Sequence, residues 1–591
     1  MRLLDGTVKP EVTWPQGRAW PASGLRDGSD LAPYDSAGPP YIARVRLGEV
    51  FTREERLSLV APAGSSYRYA LTVPDGGRLR FGVGVLDTTA KGGSLQLQVR
   101  VGDPGSEGKI VYDRNVAGEV PGKWFDEEVD LAPWNGKRID LQFIAPPADS
   151  PDLVGAWSAP HIFVAPKAAP ARPNVVWISL DTLRADHLSS YGYGRPTTPT
   201  LDALAARGLR FSTAISQAPW TRPSHRSMLS GVYPASRGGL NPPKISEVLY
   251  RNGYQTFAAT GGGQVDSTLG FDRGFEIFRV WDWIHESKKV VDWTRARAEL
   301  PFFLFLHCYE IHEPYTHTSF AQGLPAGRLS GTFSKDIFNQ LRKRFSPEEK
   351  EYAKALYDSD IAFTDGKLAE LFAGFESAGM FENSIVIVTS DHGEQFWEHG
   401  SWGHGQNLYD HQIHIPLLVY LPKSVRQELT LAGKGKALTQ GVIDDQVELV
   451  DLYPTLLELL HIPLPAAVNG RSLVSMLQGG GSLPAREAFS EHTNVHDHEQ
   501  KSLRTPRFKF ILSIPRRNKW AKNETFELYD LKRDPGEQID LAPGLAARVA
   551  ELRAKLGTIM EGGANERDEE VPANIDEDLK KQLKALGYIG N

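Results

Sequence analysis

The stretch NVVWISLD, residues 174–181, decides the predicted fold, because an apolar run of strand length ends there at an acidic residue. Four similar runs follow along the chain: YQTFAAT (254–260), PFFLFLH (301–307), SIVIVTS (384–390) and IPLLVYL (415–421). Segments with helical periodicity, such as TLDALAARG, lie between these runs. Near-continuous apolar strands separated by helices are typical of a sheet that is covered on both faces. We therefore predict an α/β domain, in which function collects just beyond the carboxyl ends of the strands.

A different pattern precedes this domain, at residues 41–165. SYRYALTV, RLRFGVGV and SLQLQVRV alternate apolar and polar residues between Gly, Pro and Asp clusters, which predicts a jelly-roll-like β-sandwich. The closing segment GAWSAPHIFVAP resembles the last strand of the carbohydrate-binding-like sandwiches that accompany many enzymes. Trp124, Trp134 and Trp157 could stack on a sugar, but aromatic residues in a small sandwich more often pack in its core or against a neighbouring domain.

These patterns divide the chain into five parts. Residues 1–40 are predicted to form an irregular N-terminal arm, and residues 41–165 form the sandwich. A stiff, proline-rich linker at residues 166–173 precedes the catalytic domain at residues 174–480. The strand-like runs RFKFILSI and FELYDL, followed by the helical AARVAELRAKL, indicate a small α+β subdomain at residues 481–591.

The bulk composition excludes several classes of function. The 591 residues carry 66 basic and 73 acidic side chains, a net charge of -7, without a long basic run, so we expect no nucleic-acid partner. The only cysteine, Cys308, excludes an internal disulfide framework. We find neither an apolar run of about 18 residues nor the apolar core of a signal peptide, and we expect no membrane span. The compartment stays open between cytoplasmic and exported with the leader or anchor removed.

Two predicted strand ends bring ionisable residues to one edge of the sheet. NVVWISLD ends in Asp181, and SIVIVTSDHGE supplies Asp391 and His392. Two carboxylates and an imidazole in one crevice are best accommodated around a divalent cation, and this ligand mixture suits Zn²⁺ or Mn²⁺ better than Ca²⁺. Each acid could instead cap a helix or a turn, an alternative that is strongest for Asp181 taken alone.

Thr221 lies in APWTRPSHRSMLSG, residues 218–231. Pro223 indicates the first turn of a helix and Gly231 its end, so Thr221 is expected at or near the helix N-terminus, where unpaired amides attract an anion. A threonine hydroxyl is a weak nucleophile, but metal coordination can lower the pKa of a bound oxygen enough to form an alkoxide near neutral pH. The alternative is an ordinary N-cap. Beside the acidic strand ends we favour the nucleophile.

Several blocks in this order resemble the sulfatase-like branch of the alkaline phosphatase superfamily, over roughly residues 174–590. They are NVVWISLDTLRADH, the segment around Thr221, FLFLHCYEIHEPY, SIVIVTSDHGEQFWEHGSWGHG and FELYDLKRDPGEQIDLA. The resemblance implies the mixed sheet of that superfamily, covered by helices. Together with the patterns above, it predicts an N-terminal β-sandwich, this catalytic fold and a small C-terminal α+β subdomain.

The nucleophile position departs from the sulfatase pattern. Type I sulfatases carry Cys or Ser in a C/S-x-P-S-R motif that is converted to formylglycine, whereas the matching stretch here runs from Thr221 to His225. The stretch also resembles the T-x-P-N-H-x-S pattern of nucleotide pyrophosphatase/phosphodiesterases, which use threonine itself as the nucleophile. The resemblance therefore implies no formylglycine and favours phosphoryl transfer.

The resemblance also implies roles for two histidines, and two further basic side chains lie close to the predicted site in sequence. His312 and His404 match positions that contact the transferred group in the sulfatase branch, and we expect them to bind the anion and protonate the leaving oxygen. His225 could bind substrate, position the nucleophile or cap a turn. Arg184 could face the same crevice or pair with Asp186. The spacing departs from the two-zinc pattern of superfamily phosphodiesterases, and the number of ions stays open.

The predicted activity is hydrolysis of phosphate diesters or phosphonate monoesters through a covalent phospho-Thr221 intermediate. One Mn²⁺ or Zn²⁺ ion would be held by Asp181, Thr221, Asp391 and His392. The enzyme alternative is a sulfuric ester hydrolase or a phosphotransferase that uses the same threonine. The non-enzyme alternative is a carbohydrate-binding protein on an inert scaffold. We expect a small, saccharide-linked or lipid-linked anionic ester as substrate, and the sandwich could bind a carbohydrate.

Overall fold

The structure is a computed structural model of the whole chain. It describes residues 1–5, 7–15, 31–33, 39, 41–49, 52–86, 93–118, 122–149, 153–164, 172–234, 240, 242–341, 344–435, 437–479, 483–493, 498–515, 524–561 and 577–585. Most of the predicted proline-rich linker, residues 166–171, lies outside the described residues.

The N-terminal region is built from β-strands that form two facing sheets. The strands are β1 (Glu11–Thr13), β2 (Leu31–Pro33), β3 (Ile42–Leu47), β4 (Glu54–Pro62), β5 (Ser65–Thr72), β6 (Gly77–Leu86), β7 (Ser94–Gly102), β8 (Lys109–Ala117), β9 (Phe125–Asp130), β10 (Arg138–Ala145) and β11 (Val154–Val164). One sheet has the order β1-β5-β10-β7-β8, and the other contains β4-β11-β6-β9, with β3 paired to β4 and β2 paired to β3. Apolar side chains of both sheets surround the fully buried Trp157. Trp157 therefore packs in the core, whereas Trp124 and Trp134 are half-buried at its margin.

The central region alternates strands and helices, as its sequence predicts. The strands are β12 (Asn174–Leu180), β13 (Leu209–Ile215), β14 (Gln255–Thr260), β15 (Ile277–Val280), β16 (Phe302–Cys308), β17 (Ser384–Thr389), β18 (Gln395–Phe396), β19 (Trp402–Gly403), β20 (His414–Tyr420) and β21 (Gly441–Glu448). The helices are α1 (Pro199–Arg207), α2 (Thr221–Ser230), α3 (Ile245–Arg251), α4 (Ser287–Ala296), α5 (Lys335–Gln340), α6 (Pro347–Ser377), α7 (Asp410–Ile413), α8 (Lys423–Ala432), α9 (Leu452–Leu459) and α10 (Val474–Leu477). The sheet runs β21-β13-β20-β17-β12-β16-β14-β15. Its strands β17, β12, β16, β14 and β15 are parallel, whereas β20 is antiparallel to both its neighbours.

Both faces of this sheet are covered by helices. Successive side chains of a strand point to opposite faces, and in β12 Val175 and Trp177 join one apolar core while Val176 and Ile178 join the other. Helices α2, α3 and α9 contribute to the first core, and α1, α4 and α6 contribute to the second. This arrangement explains the near-continuous apolar strands and confirms the predicted α/β class.

The sandwich and the catalytic domain share one continuous sheet. Strand β15 pairs antiparallel with β4, so one face of the sandwich extends the catalytic sheet into a 14-stranded sheet. Arg53, which is fully buried beside this junction, pairs with Asp266 of the catalytic domain and with Glu55 of β4. The junction is therefore both a strand pair and a buried ionic contact.

The first residues of the chain are more ordered than the predicted irregular arm. Leu3 is buried in the sandwich core, and β1 pairs with β5. Arg2 forms an ion pair with Glu276, beside the junction of the two domains. Apolar contacts, strand pairing and this ion pair hold the described part of this segment in place.

The C-terminal region is an antiparallel sheet with flanking helices. Its elements are β22 (Ala488–His492), β23 (His498–Arg504), β24 (Phe508–Pro515), β25 (Thr525–Asp530), α11 (Ala546–Glu561) and α12 (Glu577–Ala585). Leu552 and Leu556 of α11 pack on this sheet, whereas Leu579 and Leu583 of α12 return to the catalytic core. Within the described residues, no helix combines the length and the apolar character needed to cross a lipid bilayer.

Candidate active site

Two acids and a histidine meet where two neighbouring strands end. Asp181 directly follows β12, and Asp391 and His392 follow β17 after one residue. The two strands pair in parallel, with Ser179 opposite Thr389, so their carboxyl ends open at the same edge. One ligand atom from each of the three residues lies within 4.8 Å of the others, and all three side chains are fully buried.

Thr221 is the first residue of α2 and lies against this group. Trp220 precedes the helix in an extended conformation, and Gly231 ends it with a left-handed φ of 73°. The Thr221 hydroxyl donates to Asp181 Oδ2 over 3.2 Å and lies 3.3 Å from His392 Nε2. The helix therefore brings a buried hydroxyl and its first amides to the carboxylates.

The polar atoms of this group fit a divalent cation. In the part of the chain that the structure describes, Asp181 Oδ1 and both Asp391 oxygens have no hydrogen-bond partner. Burial and the charge of Asp181 raise the pKa of Asp391 to about 7. Burial also acts against the charged form of Asp181, but the hydrogen bond to His307 and the charges of nearby histidines hold its pKa well below the usual range. A dication would neutralise both carboxylates, and the mixed oxygen and nitrogen donors suit Zn²⁺ or Mn²⁺.

His225 contacts Ser179 and Thr221, and His307 contacts Asp181. His225 Nδ1 donates to the Thr221 carbonyl over 2.9 Å, and Nε2 accepts from the Ser179 hydroxyl over 3.0 Å. Burial, and then the neighbouring His307, lower the pKa of His225 to about 3, so its ring is neutral at pH 7. Both nitrogens contact protein atoms, which suits a positioning role better than the predicted contact with substrate. His307 Nε2 lies 3.3 Å from Asp181 Oδ2; as the next-to-last residue of an apolar strand, it gave little sequence signal.

His404 and His312 form the other wall of the group. The ring centroid of His404 lies 4.7 Å from that of His392 and 4.8 Å from that of His312. His404 Nδ1 faces Glu394 Oε1 at 3.2 Å, and the Tyr315 hydroxyl donates to Glu394 Oε2 over 2.9 Å. Glu394 is fully buried. Sequence reasoning missed it, although it is the last residue of the DHGE motif.

Two arginines lie close to the group in sequence. Arg184, the predicted substrate contact, donates to Asp186 over 2.7 Å, to Glu398 over 2.6 Å and to the Glu394 carbonyl over 2.9 Å. The carboxylates of Asp186 and Glu398 neutralise its charge, and contact with substrate stays a prediction. Arg222, next to Thr221, is buried and donates from Nε to Gln264 over 2.8 Å. Sequence reasoning did not assign a role to Arg222.

Comparisons with known families and relatives agree with this architecture. Residues 173–462 match the Sulfatase family, and residues 397–561 match the C-terminal region of N-sulphoglucosamine sulphohydrolase. An arylsulfatase of Clostridium perfringens is 24% identical over 452 residues, which cover 63% of this chain and 90% of that protein. Human (Homo sapiens) arylsulfatase K is 24% identical over 482 residues, which cover 67% of this chain and 83% of that protein.

Solved structures show the same fold. BT4656, in complex with its substrate D-glucosamine-2-N,6-O-disulfate, has a TM-score of 0.52 and 17% identity, covering 68% of this chain and 100% of that one. The phosphonate monoester hydrolase of Agrobacterium radiobacter has a TM-score of 0.51 and 19% identity, covering 66% of this chain and 96% of that one. These structures share the fold, and the two family matches, which together span residues 173–561, place that region of the chain in the sulfatase family of the alkaline phosphatase superfamily.

Proposed function

We propose that the protein hydrolyses singly charged sulfuric or phosphoric esters with the Thr221 hydroxyl as nucleophile. The position of this hydroxyl carries the proposal: it is buried at a helix N-terminus, 3.2 Å from Asp181 Oδ2 and 3.3 Å from His392 Nε2. An oxyanion that reaches the hydroxyl also meets the positive end of the helix dipole at the N-terminus of α2. These groups suit attack on a sulfur or phosphorus atom whose other oxygens carry negative charge.

The first step is an in-line displacement at the ester. Asp181 Oδ2 accepts the hydroxyl proton along the existing hydrogen bond while Thr221 Oγ1 attacks the sulfur or phosphorus atom. A dication bound by Asp181, Asp391, His392 and Thr221 would acidify the hydroxyl and stabilise charge on the ester oxygens. The bond to the alcohol oxygen breaks, and sulfated or phosphorylated Thr221 remains.

His404 donates the proton that the departing alcohol needs. Glu394 faces Nδ1 of the ring, so Nε2 is the nitrogen that can protonate the alcohol oxygen. His312, next to His404, is proposed to bind the non-bridging oxygens of the ester. In the second step His404 takes a proton from water and the water oxygen attacks the central atom. The bond from that atom to Thr221 Oγ1 breaks, Asp181 returns its proton to Thr221, and the inorganic anion leaves.

The charges around Thr221 favour an ester with a single negative charge. Asp181, Asp391 and Glu394 supply three negative charges, whereas a bound dication, Arg222 and the protonated His404 would supply four positive charges, which leaves one for the ester. A sulfate monoester, a phosphate diester and a phosphonate monoester each bring one negative charge at neutral pH. A phosphate monoester brings nearly two and would leave an excess charge in a buried site.

Among these esters we now place sulfuric esters first. Sequence reasoning favoured phosphate diesters and phosphonate monoesters, but the family match and the arylsulfatase relatives support the sulfuric ester alternative better. Phosphorus esters are the second candidate, because Thr221 cannot be read as a formylglycine precursor and a phosphonate monoester hydrolase shares the fold. The saccharide substrate of BT4656 makes a saccharide the first choice of alcohol.

Rates on matched nitrophenyl esters test this function. We expect the metal-loaded protein to show its highest kcat/KM on nitrophenyl sulfate, lower values on bis-nitrophenyl phosphate and nitrophenyl phenylphosphonate, and the lowest on nitrophenyl phosphate. Higher rates on the two singly charged phosphorus esters would select the second candidate. Preference for nitrophenyl phosphate would contradict the charge argument, and full activity of Thr221→Val would refute the nucleophile.

A further inference from the structure

A second group of metal-ligating side chains lies at the same edge of the sheet, outside the site around Thr221. Asp282 and His285 follow β15, and Glu310 follows β16. Both strands pair in parallel with β14, and β16 also pairs in parallel with β12. The carboxyl ends of all these strands therefore open toward one edge, which is where sites form in such sheets.

The three side chains are close enough to share one ion. One oxygen or nitrogen from each lies within 4.8 Å of the others. His285 Nδ1 is 2.8 Å from Asp282 Oδ2 and 3.9 Å from Glu310 Oε2. The histidine and Asp282 side chains are 42% and 64% exposed, so an ion from solvent can reach them, while Glu310 is more enclosed at 19%.

A buried carboxylate and a second histidine adjoin this group. His317 stacks on Phe363 with ring centroids 3.9 Å apart, and His285 contacts the same ring at 5.4 Å. Asp360 Oδ1 lies 2.7 Å from His317 Nδ1 and accepts the His317 backbone N–H over 2.9 Å. A carboxylate that holds one nitrogen of a histidine in this way fixes the ring for metal binding through the other nitrogen.

The group has an excess of negative charge. Within the described residues, the ion pairs of Asp282, Glu310 and Asp360 are made with His285 and His317, and none is made with Lys or Arg. Asp360 is 1% exposed, and its Oδ2 has no hydrogen-bond partner among those residues. The charge of Glu310 acts on the buried Asp360 carboxylate, and the two acids repel one another. A bound cation would remove this repulsion.

We propose that Asp282, His285 and Glu310 bind a second divalent cation of the zinc or manganese class. The combination of imidazole and carboxylate donors selects these metals over Ca²⁺ and Mg²⁺. The site is separate from the ion that Asp181, Asp391 and His392 would hold, and its existence does not depend on the proposed ester hydrolysis.

The bound cation would join two segments that border the reactive group. Trp283 Nε1, next to Asp282, donates to the His307 carbonyl over 2.8 Å. Glu310 lies inside a turn that the His312 backbone N–H closes by donating to the Tyr309 carbonyl over 2.9 Å. An ion between Asp282 and Glu310 therefore fixes the turn that carries His312 against the segment after β15.

Zinc stoichiometry of the full chain tests the site. Protein stripped with a chelator is dialysed against Zn²⁺ alone, and bound zinc is measured by elemental analysis. We expect two equivalents for the wild type and one for His285→Ala, Glu310→Gln and Asp181→Asn. Glu286→Gln is the matched control, because this neighbouring acid pairs with Lys289 and Trp281 instead, and it should keep two.

The variants separate this site from the one around Thr221. His285→Ala removes a partly exposed side chain, so its thermal midpoint should match that of Glu286→Gln and confirm an intact fold. Two equivalents in both His285→Ala and Glu310→Gln, or a wild type that binds one equivalent which Asp181→Asn alone removes, would overturn the proposal. One equivalent that His285→Ala removes and Asp181→Asn leaves in place would support this site and count against the metal in the proposed function.

Discussion

Replacement of Glu394 by Gln tests the assignment of His404 as the proton donor. Glu394 is fully buried, faces His404 Nδ1 at 3.2 Å and accepts the Tyr315 hydroxyl over 2.9 Å. Glutamine keeps the size of the side chain and an oxygen for Tyr315, but it removes the charge that stabilises a protonated His404. The substitution therefore changes the proton donor while the metal ligands and Thr221 remain.

The expected magnitude follows from the strength of one charge-assisted hydrogen bond. A hydrogen bond to a charged group contributes about 1.5–3 kcal/mol, and a loss of about 2 kcal/mol at the transition state slows a reaction by roughly 30-fold. The loss applies only when the alcohol must be protonated as it leaves. We therefore expect Glu394→Gln to lower kcat/KM by about 30-fold on esters of a saccharide or alkyl alcohol and by less than about threefold on nitrophenyl esters.

The test compares kcat/KM of wild type and variant on an alkyl or saccharide ester and on a nitrophenyl ester. Asp358→Asn is the matched control, because Asp358 Oδ1 lies 2.6 Å from His187 Nδ1 in another buried carboxylate–histidine pair. The control should slow both kinds of ester by the same factor, whatever it does to stability. Equal losses on nitrophenyl and alkyl esters in Glu394→Gln would refute the assigned proton transfer and leave Glu394 with a structural role only.

Three further perturbations address the nucleophile, the metal and the domain junction. Thr221→Val should lower kcat/KM by at least about a thousandfold with unchanged thermal stability. In wild-type protein quenched during turnover, mass spectrometry should detect a sulfated or phosphorylated Thr221, and its absence would contradict direct attack. Asp391→Asn should lower the zinc affinity of the site beside Thr221 by at least about tenfold, since it removes one ligand charge. Competition for zinc with a chelator measures this affinity. Arg53→Met should lower the free energy of unfolding by about 3–5 kcal/mol in urea, because it leaves Asp266 buried without its partner, whereas the exposed Lys288→Met should change it little.

Local sequence patterns predicted the part of the site that lies at strand ends. An apolar run can occupy only the covered interior of the sheet, so the first acid after it must lie at the edge, as Asp181 and Asp391 do. The helix start at Thr221 was predictable for a similar reason, since Pro223 and Gly231 bound the helix. These inferences use neighbouring residues only, and they depend on no long-range pairing.

The parts that sequence reasoning missed depend on contacts between distant segments. Nothing local in EERLSLVAP indicates that β4 pairs with β15, because a strand edge can accept any partner with free backbone groups. From the sequence alone Arg53 would be placed on the surface, because only the fold brings its partner Asp266 beside it. Glu394 likewise gains its function from His404, ten residues further along the chain and across a short β-hairpin of β18 and β19.

The balance of charge supports the proposal that the Thr221 hydroxyl is the nucleophile. Arg184 is matched by Asp186 and Glu398, so it adds little field at the nucleophile. The ion that Asp181 and Asp391 would hold would lie beside the Thr221 oxygen, because that oxygen is 3.2 Å from Asp181 Oδ2. At so short a range a dication lowers the pKa of an alcohol more than dispersed cations could. An ester with one negative charge can then enter without cancelling this field, whereas a doubly charged one would weaken the activation of the oxygen that must attack it.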